Sequence, residues 1–400
     1  MKAVDGNAKF IFHEEEVDYR FNAEHPFNQQ RLVLTCDLLR KSGALPAEAL
    51  VQPDLADDEE IALVHSREYI EAVKALSGDQ PGSEWLAKAE KFGLTSDDTP
   101  YFSRMHDITA RVAGGSIAAA ELVMSGQAQH TLHLAGGLHH AFSAKGAGFC
   151  IYNDASIAIA AIRKKYDARI LYIDTDVHHG DGVQWTFYTD PQVCTFSIHE
   201  TGKYLFPGTG GVEERGDGLG FGYNYNLPME PYTEDASWLE CFEDTLSRVA
   251  DAFKPDLIIS QHGCDAHAYD PLSHIHCSME IYARMPAIIH RLAHQHCEGR
   301  WVALGGGGYD IWRVVPRAWS LLWLEMSGHP LGAAIAADGL LPLPAEWLAE
   351  WGPRSPEPMP ATWLDDASSW EPMPRRAEIA ERNRRVRDLA ALYLPPRDAG

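Results

Sequence analysis

Paired cysteines are the first thing this sequence lacks. Its seven cysteines are an odd number, and no two are spaced C-x-x-C. This pattern speaks against a disulfide framework or a cysteine zinc knuckle, and a reducing compartment fits. No run approaches the ~20 apolar residues of a membrane span. The N-terminal MKAVDGNAKFIFHEEE has no apolar core of the signal-peptide kind. Basic residues are scarce too: 34 Lys and Arg stand against 57 Asp and Glu, a formal charge of -23. That balance speaks against binding a nucleic-acid backbone and permits attraction of cationic partners such as lysine-bearing surfaces, with solubility alone as the default account of it. No repeat of solenoid period occurs. The expectation is a cytoplasmic protein with neither a nucleic-acid nor a membrane partner.

What is present is a packed α/β chain. At 400 residues, 45% apolar and 10% aromatic, it can bury one large core or two ordinary ones. Ser66 caps a short helix, REYIEAVKAL. A small-residue helix from Ala110 to Gly126 leads to the strand His130–Ala135, which ends in Gly136-Gly137 just before His139 and His140. Asp154 is read as the cap of the helix ASIAIAAIRKKY, which leads to the strand Ile170–Ile173. The grammar then repeats: strand VCTFSIHE, helix Ala236–Phe253, strand LIISQHGCD, helix Met279–His296, strand WVAL and a tetraglycine before Tyr309. Strand–helix–strand units imply parallel pairing. Five apolar strands thus end in glycines beside His, Asp or Tyr, and ligands of open parallel sheets sit at those carboxyl ends. A catalytic domain over residues 1–330 is expected. Residues 331–400, rich in proline and carrying Trp347, Trp351, Trp363 and Trp370, are expected to pack on it as an extension ending in a helix.

The chemistry concentrates in RILYIDTDVHHGDG, residues 169–182. Alternate residues of a strand share a face, so Asp174, Asp176 and His178 point to one space. Two buried carboxylates there call for a cation or a cationic partner. Asp176, His178 and Asp265 make a three-ligand set with an open position, the arrangement of a hydrolytic zinc site. Carboxylate and imidazole suit Zn2+ or Fe2+. His140 is the candidate general base, with Asp181 and Asp174 each orienting one imidazole of the His139–His140 pair. Tyr309 is placed to donate its phenol to a developing oxyanion. The tetraglycine lacks the G-K-[ST] of a phosphate loop. Taken alone, Arg31 reads as a surface charge on a helix, and Asp97 and Asp98 read as solvated loop carboxylates. His274, His276, His290 and His294 read as surface or packing residues, since no acidic partner is spaced to complete a metal set with the last two.

The motifs GGLHH, GFCIYND, YIDTDVHHGDGV, FPGTG, GCDAHAYDP and GGGGYD occur in one order over about 175 residues, with HPFNQQR and SDDTP before them. Together they resemble the zinc-dependent histone deacetylase superfamily, class I-like, and within it the bacterial acetoin-utilisation deacetylases. The resemblance implies a single arginase/deacetylase-type α/β domain, with a central eight-stranded parallel sheet and helices on both faces. It implies zinc at Asp176, His178 and Asp265, and removal of acetyl from N-ε-acetyl-lysine of a protein such as acetyl-CoA synthetase. Gly148, Phe149 and Phe206 match the walls of a narrow acyl-lysine tube, Asp98 matches a rim carboxylate that grips substrate amides, and Arg31 matches the arginine of an acetate-release cavity. Structural K+ or Na+ is implied at Asp174 and Ser197 with carbonyls of Asp176, His178 and Ile198, and again at Phe187, Asp190, Val193 and Tyr223. Leu138 and Leu205 depart from the family pattern at positions expected to border the pocket.

Three rival functions compete with this one. An arginase-type ureohydrolase needs further carboxylates to bridge a second ion, where this chain has Gly180 and His267. A pseudodeacetylase sensor predicts a lost ligand, base or tyrosine, and none is lost. An acetylpolyamine or other small N-acyl amine hydrolase differs only in substrate. The segment after Asp265 carries no glutamate of the kind that gates polyamine-specific members, which weakens it.

Overall fold

The computed structural model describes residues 7–366, 368, 370–392 and 394. Eight parallel strands form one sheet: β1 (Ala8–Ile11), β2 (Leu50–Val51), β3 (His130–His133), β4 (Ile170–Asp174), β5 (Val193–Glu200), β6 (Asn224–Met229), β7 (Leu257–Gln261) and β8 (Trp301–Leu304). Their spatial order is β2-β1-β3-β8-β7-β4-β5-β6. The central strands β4, β7 and β8 are largely apolar and buried along their whole length because both faces are covered. Ile170 and Tyr172 enter one core cluster with the helices Met105–Met124 and Asp154–Tyr166, while Leu171 and Ile173 enter the other. On that second face lie the helices Gln30–Lys41, Asp235–Phe253, Met279–His296 and Val315–Met326.

The register aligns the strand ends. His133 pairs with Leu304, Leu304 with Gln261, and Gln261 with Asp174, so one row crosses the four central strands β3, β8, β7 and β4. Each of the four then delivers its next residues to the same edge of the sheet: 136–140, 305–309, 263–265 and 176–178. β1, β2 and β6 were not read from the sequence, being short or half-polar, and they extend the sheet on either side of this centre.

Two local expectations are corrected. The small-residue helix starts at Met105 and ends at Met124. The cap of the helix before β4 is Asn153, whose side chain accepts from the Ser156 N–H at 2.9 Å. Asp154 is the first helical residue, and its carboxylate instead accepts from the N–H groups of Gly137 and Leu138 at 3.0 and 2.8 Å. It thereby ties the loop bearing the His pair to the helix.

The chain beyond residue 331 returns to the sheet's helices. Trp347 Nε1 donates to the Leu34 carbonyl at 3.1 Å and Trp351 Nε1 to Asp37 Oδ2 at 2.7 Å. Asp365 accepts from Arg317 at 2.8 Å and from the Met279 N–H at 2.8 Å, and pairs with His267 Nε2 at 2.9 Å. A buried arginine thus finds its counter-charge in the extension. Among the described residues, no helix is long and apolar enough to cross a membrane.

Candidate metal centre and active-site cleft

The tight turn after β4 and the loop after β7 bring three ligand atoms together. His178 Nδ1 lies 3.1 Å from Asp176 Oδ1 and 3.1 Å from Asp265 Oδ2, and all three residues are buried. Backbone and amide donors fix the carboxylates. Gln261 Nε2 and the Gly307 N–H donate to Asp176 Oδ2 at 2.8 and 2.7 Å, the His178 N–H to Asp176 Oδ1 at 3.0 Å, and the Val177 N–H to Asp265 Oδ1 at 2.8 Å. Burial and the adjacent Asp176 charge push the Asp265 carboxyl up. Burial works against charge on His178, yet its contacts to Asp176 and Asp265 outweigh this and raise it to about 10. The donor set therefore demands positive charge at one point, as a divalent cation satisfies.

Beside this triad stands the histidine pair. His139 Nδ1 donates to Asp174 Oδ2 at 2.7 Å, His140 Nδ1 to Asp181 Oδ1 at 2.6 Å, and the two Nε2 atoms are 3.0 Å apart. Asp174 Oδ2 also accepts from the Tyr172 hydroxyl at 2.7 Å. The environments split the pair. Burial disfavours charge on His139, but Asp174 and then Asp176 raise it to about 9. His140 is lowered to about 4, first by burial and then by His139. Asn153 Nδ2 holds the turn by donating to the carbonyls of His139 and Ala141.

Tyr309 faces His178 with ring centroids 6.4 Å apart. Burial, then Asp265 and Asp176, push its phenol well above its ordinary value, so it remains a donor. Its backbone N–H donates to Asp270 Oδ2 at 2.8 Å, and Asp270 also accepts from the Leu272 N–H at 2.9 Å. The sequence reading missed Asp270, Gln261, Gly307 and Asn153. Their part is to hold other residues in place through long-range hydrogen bonds, which no spacing rule reports.

A cleft of about 680 Å³ opens above these groups, lined among others by Asp98, Gly148, Phe149, Leu205, Phe206 and Tyr309. Phe206 packs edge-on to His140 at 5.0 Å and Phe149 edge-on to Tyr309 at 5.7 Å. Gly148 has φ +50, and a Cβ there would meet the His140 ring at 2.4 Å and Phe206 at 2.9 Å, so only glycine fits the wall. The Phe149 N–H donates to Thr99 Oγ1, while its carbonyl accepts from the Tyr19 hydroxyl at 2.7 Å. His179, the second histidine of VHHGDG, hydrogen-bonds Thr209 Oγ1 at 2.8 Å and so anchors the FPGTG loop that carries Phe206. Asp98 is exposed at the rim. Leu205 borders the cleft as expected of its position, whereas Leu138 lies in the core.

Arg31 is not a surface charge. It is 1% exposed, sandwiched between the rings of Phe27 and Trp319, and donates to the Gly308 carbonyl at 3.1 Å, directly behind Tyr309. Asp174 and Ser197 are register partners, and Ser197 Oγ lies 2.8 Å from His199 Nδ1. Around the start of β5, the Phe187 carbonyl accepts from the Asp190 N–H, that of Asp190 from the Val193 N–H, and that of Tyr223 from the Thr195 N–H. A second bridged ion has no place beside the triad. A Cβ on Gly180 would sit 2.2 Å from Asp174 Oδ2, and His267 is turned away to Asp365.

Known proteins resemble this chain over most of its length. Residues 25–326 match the histone deacetylase domain. The chain is 52% identical to the acetoin utilization protein AcuC of Bacillus subtilis (strain 168) over 375 residues, 94% of each chain. It is 44% identical to the AcuC of Staphylococcus xylosus over 385 residues, 96% of this chain and 97% of that one. An HDAC homolog from Aquifex aeolicus superimposes with a TM-score of 0.81 at 29% identity, covering 95% of this chain and 100% of that one; an HDAC homolog complexed with SAHA gives the same values.

Proposed function

Because this chain belongs to the histone deacetylase family, we propose that it is a zinc-dependent protein lysine deacetylase, hydrolysing the amide of N-ε-acetyl-lysine. The observation that carries the reading is the convergence of Asp176, His178 and Asp265 on one point below a cleft walled by Phe149 and Phe206. Zn2+ held by those three residues, with Fe2+ as the other ion the donors suit, supplies Lewis-acid polarisation of the acetyl carbonyl and a more acidic water. The chain's own residues do the rest. The two phenylalanines enclose the lysine stem, and Asp98 at the rim accepts from substrate backbone amides. His140, neutral at pH 7 and oriented by Asp181, takes a proton from the attacking water and returns one to the departing lysine amine. His139, held by Asp174, places positive charge beside it. The Tyr309 hydroxyl donates to the tetrahedral oxyanion. Arg31, behind Tyr309, lies where it can draw the acetate product inward.

The remaining assignments are proposals on the same footing. Structural K+ or Na+ is placed at Asp174 and Ser197, and at the carbonyls around Phe187, Asp190, Val193 and Tyr223. A cytoplasmic setting is supported by seven buried cysteines, all free. By resemblance the substrate is an acetylated metabolic enzyme of the acetyl-CoA synthetase kind. The test is hydrolysis of an acetyl-lysine peptide against acetylputrescine, each with and without chelator and a hydroxamate, alongside metal analysis. Peptide turnover that chelation abolishes and Zn2+ restores is expected. A higher kcat/KM for acetylputrescine would replace the protein substrate with a small amine.

A further inference from the structure

Three histidines meet at the opposite end of the sheet, away from the cleft. His130 is the first residue of β3, and its register partner Trp301 opens β8. His290 and His294 lie one turn apart on the helix Met279–His296. His290 Nε2 is 3.2 Å from His130 Nε2 and 3.0 Å from His294 Nε2. Sequence spacing offers His290 and His294 no acidic partner to complete a metal set. The fold supplies a third histidine instead, from a strand 160 residues earlier.

The geometry of the cluster is that of a ligand set. His290 Nδ1 donates to Glu325 Oε1 at 2.7 Å, so its Nε2 carries the lone pair and points at the other two rings. This carboxylate–imidazole pair is the outer layer that metal-bound histidines ordinarily have. Trp301 stacks on His290, centroids 5.5 Å apart at 29°, and Trp301 Nε1 is itself bonded to Ser260 Oγ at 2.7 Å. The central ring is therefore held on two sides. A single lone pair on His290 is poorly matched to two neighbouring Nε2 atoms at hydrogen-bond distance. An ion matches all three, since nitrogens about 2.0–2.1 Å from one zinc at a tetrahedral angle stand about 3.4 Å apart. Burial is graded, with His130 buried, His290 half-buried and His294 exposed, which leaves the fourth position facing solvent.

We propose that His130, His290 and His294 form a second metal site, for a borderline divalent transition ion of the Zn2+ or Ni2+ class, which clips the helix Met279–His296 to the amino end of β3. Three neutral nitrogens select such ions over Mg2+ and Ca2+, which prefer oxygen. The site is independent of the deacetylase reading, because none of its residues borders the cleft.

The test uses the full-length, untagged protein, stripped with chelator, reloaded with Zn2+ and desalted before metal analysis. Wild type is expected to hold two ions per chain and His294→Ala one, with acetyl-lysine peptide hydrolysis unchanged in that variant. Asp176→Asn, which removes a cleft ligand, should also hold one. Loaded with Co2+, it should show visible ligand-field absorption that the added His294→Ala change abolishes. Addition of Zn2+ or Ni2+, but not Mg2+, should raise the Tm of Asp176→Asn by several degrees and leave the double variant unmoved. Equal zinc content in wild type and His294→Ala overturns the proposal. Should Asp176→Asn not fold, that comparison of stoichiometry decides alone.

Discussion

Gly307 makes the sharpest test of how the metal centre is built. Its N–H donates to Asp176 Oδ2 at 2.7 Å, so the tetraglycine backbone lies directly on the ligands. A Cβ there would stand 2.1 Å from Asp265 Oδ2 and 2.8 Å from Asp176 Oδ2. An ordinary carbon–oxygen contact is about 3.3 Å or more, so Gly307→Ala requires a movement of roughly 1 Å. Metal ligands tolerate displacements of only about 0.2 Å. Asp265 cannot simply swing aside, because it is buried and accepts from the Val177 N–H. Alanine is otherwise acceptable: Gly307 lacks the positive φ of Gly306 (+153) and Gly308 (+128), so strain falls on the ligands rather than the backbone. Loss of an outer hydrogen bond to a ligand costs about 10–100-fold in metal affinity, or about 1.4–2.8 kcal/mol. Gly307→Ala should reach the upper end of that range or pass it. Competition against a zinc-binding chromophore measures it, with thermal unfolding to establish that the variant is folded. Gly352→Ala, where a Cβ meets nothing within 4 Å, is the control. Zinc affinity within twofold of wild type in folded Gly307→Ala would refute the reasoning.

Tyr309→Phe removes one oxyanion donor and should lower kcat by roughly 100-fold or more, about 2.7–4 kcal/mol of barrier, with zinc content unchanged; an undiminished rate removes the phenol from the mechanism. Asp270→Ala strips the acceptor from the Tyr309 N–H and should lower kcat more than it weakens zinc binding, whereas Asp270→Asn, which keeps an acceptor oxygen, should retain more activity. Asp365→Asn leaves buried Arg317 without its counter-charge, a loss of about 3–5 kcal/mol in urea unfolding at pH 7. Although burial opposes it, pairing with His267 and Arg317 holds the Asp365 carboxyl well below its ordinary range. Its contribution is therefore complete above the unfolded-chain pKa of about 3.9 and is lost as pH falls toward the folded value. The gap between wild type and Asp365→Asn should narrow in acid, and a gap constant down to pH about 3 would show that the ion pair does not cause it.

Much of the centre was legible because it obeys short-range rules. Asp174 ends one buried strand, Asp176 and His178 sit in the turn just beyond it, and glycines beside His, Asp or Tyr mark the ends of β3, β4, β7 and β8 whatever their neighbours. The limits of that reading appear at Arg31 and Asp154. An arginine on a helix is surface by default, and only the packing of Phe27 and Trp319 around Arg31 makes it an interior group. Asp154 has a capping residue's chemistry, but Asn153 takes that role once the loop amides of Gly137 and Leu138 claim the aspartate.

The sequence by itself determined the strand–helix alternation, the ligand types and their common edge, since backbone periodicity and turn chemistry act over a few residues. The tertiary structure decided which strands are neighbours, because parallel strands are joined by crossovers that leave their lateral order open. That order, β3-β8-β7-β4, brings Gly307 and Gln261 onto Asp176, while the packing of helices and extension on the sheet sets Asp365 against Arg317 and stands His130 beside His290. Contacts between residues scores of positions apart leave no period in the chain, and only the folded sheet creates them.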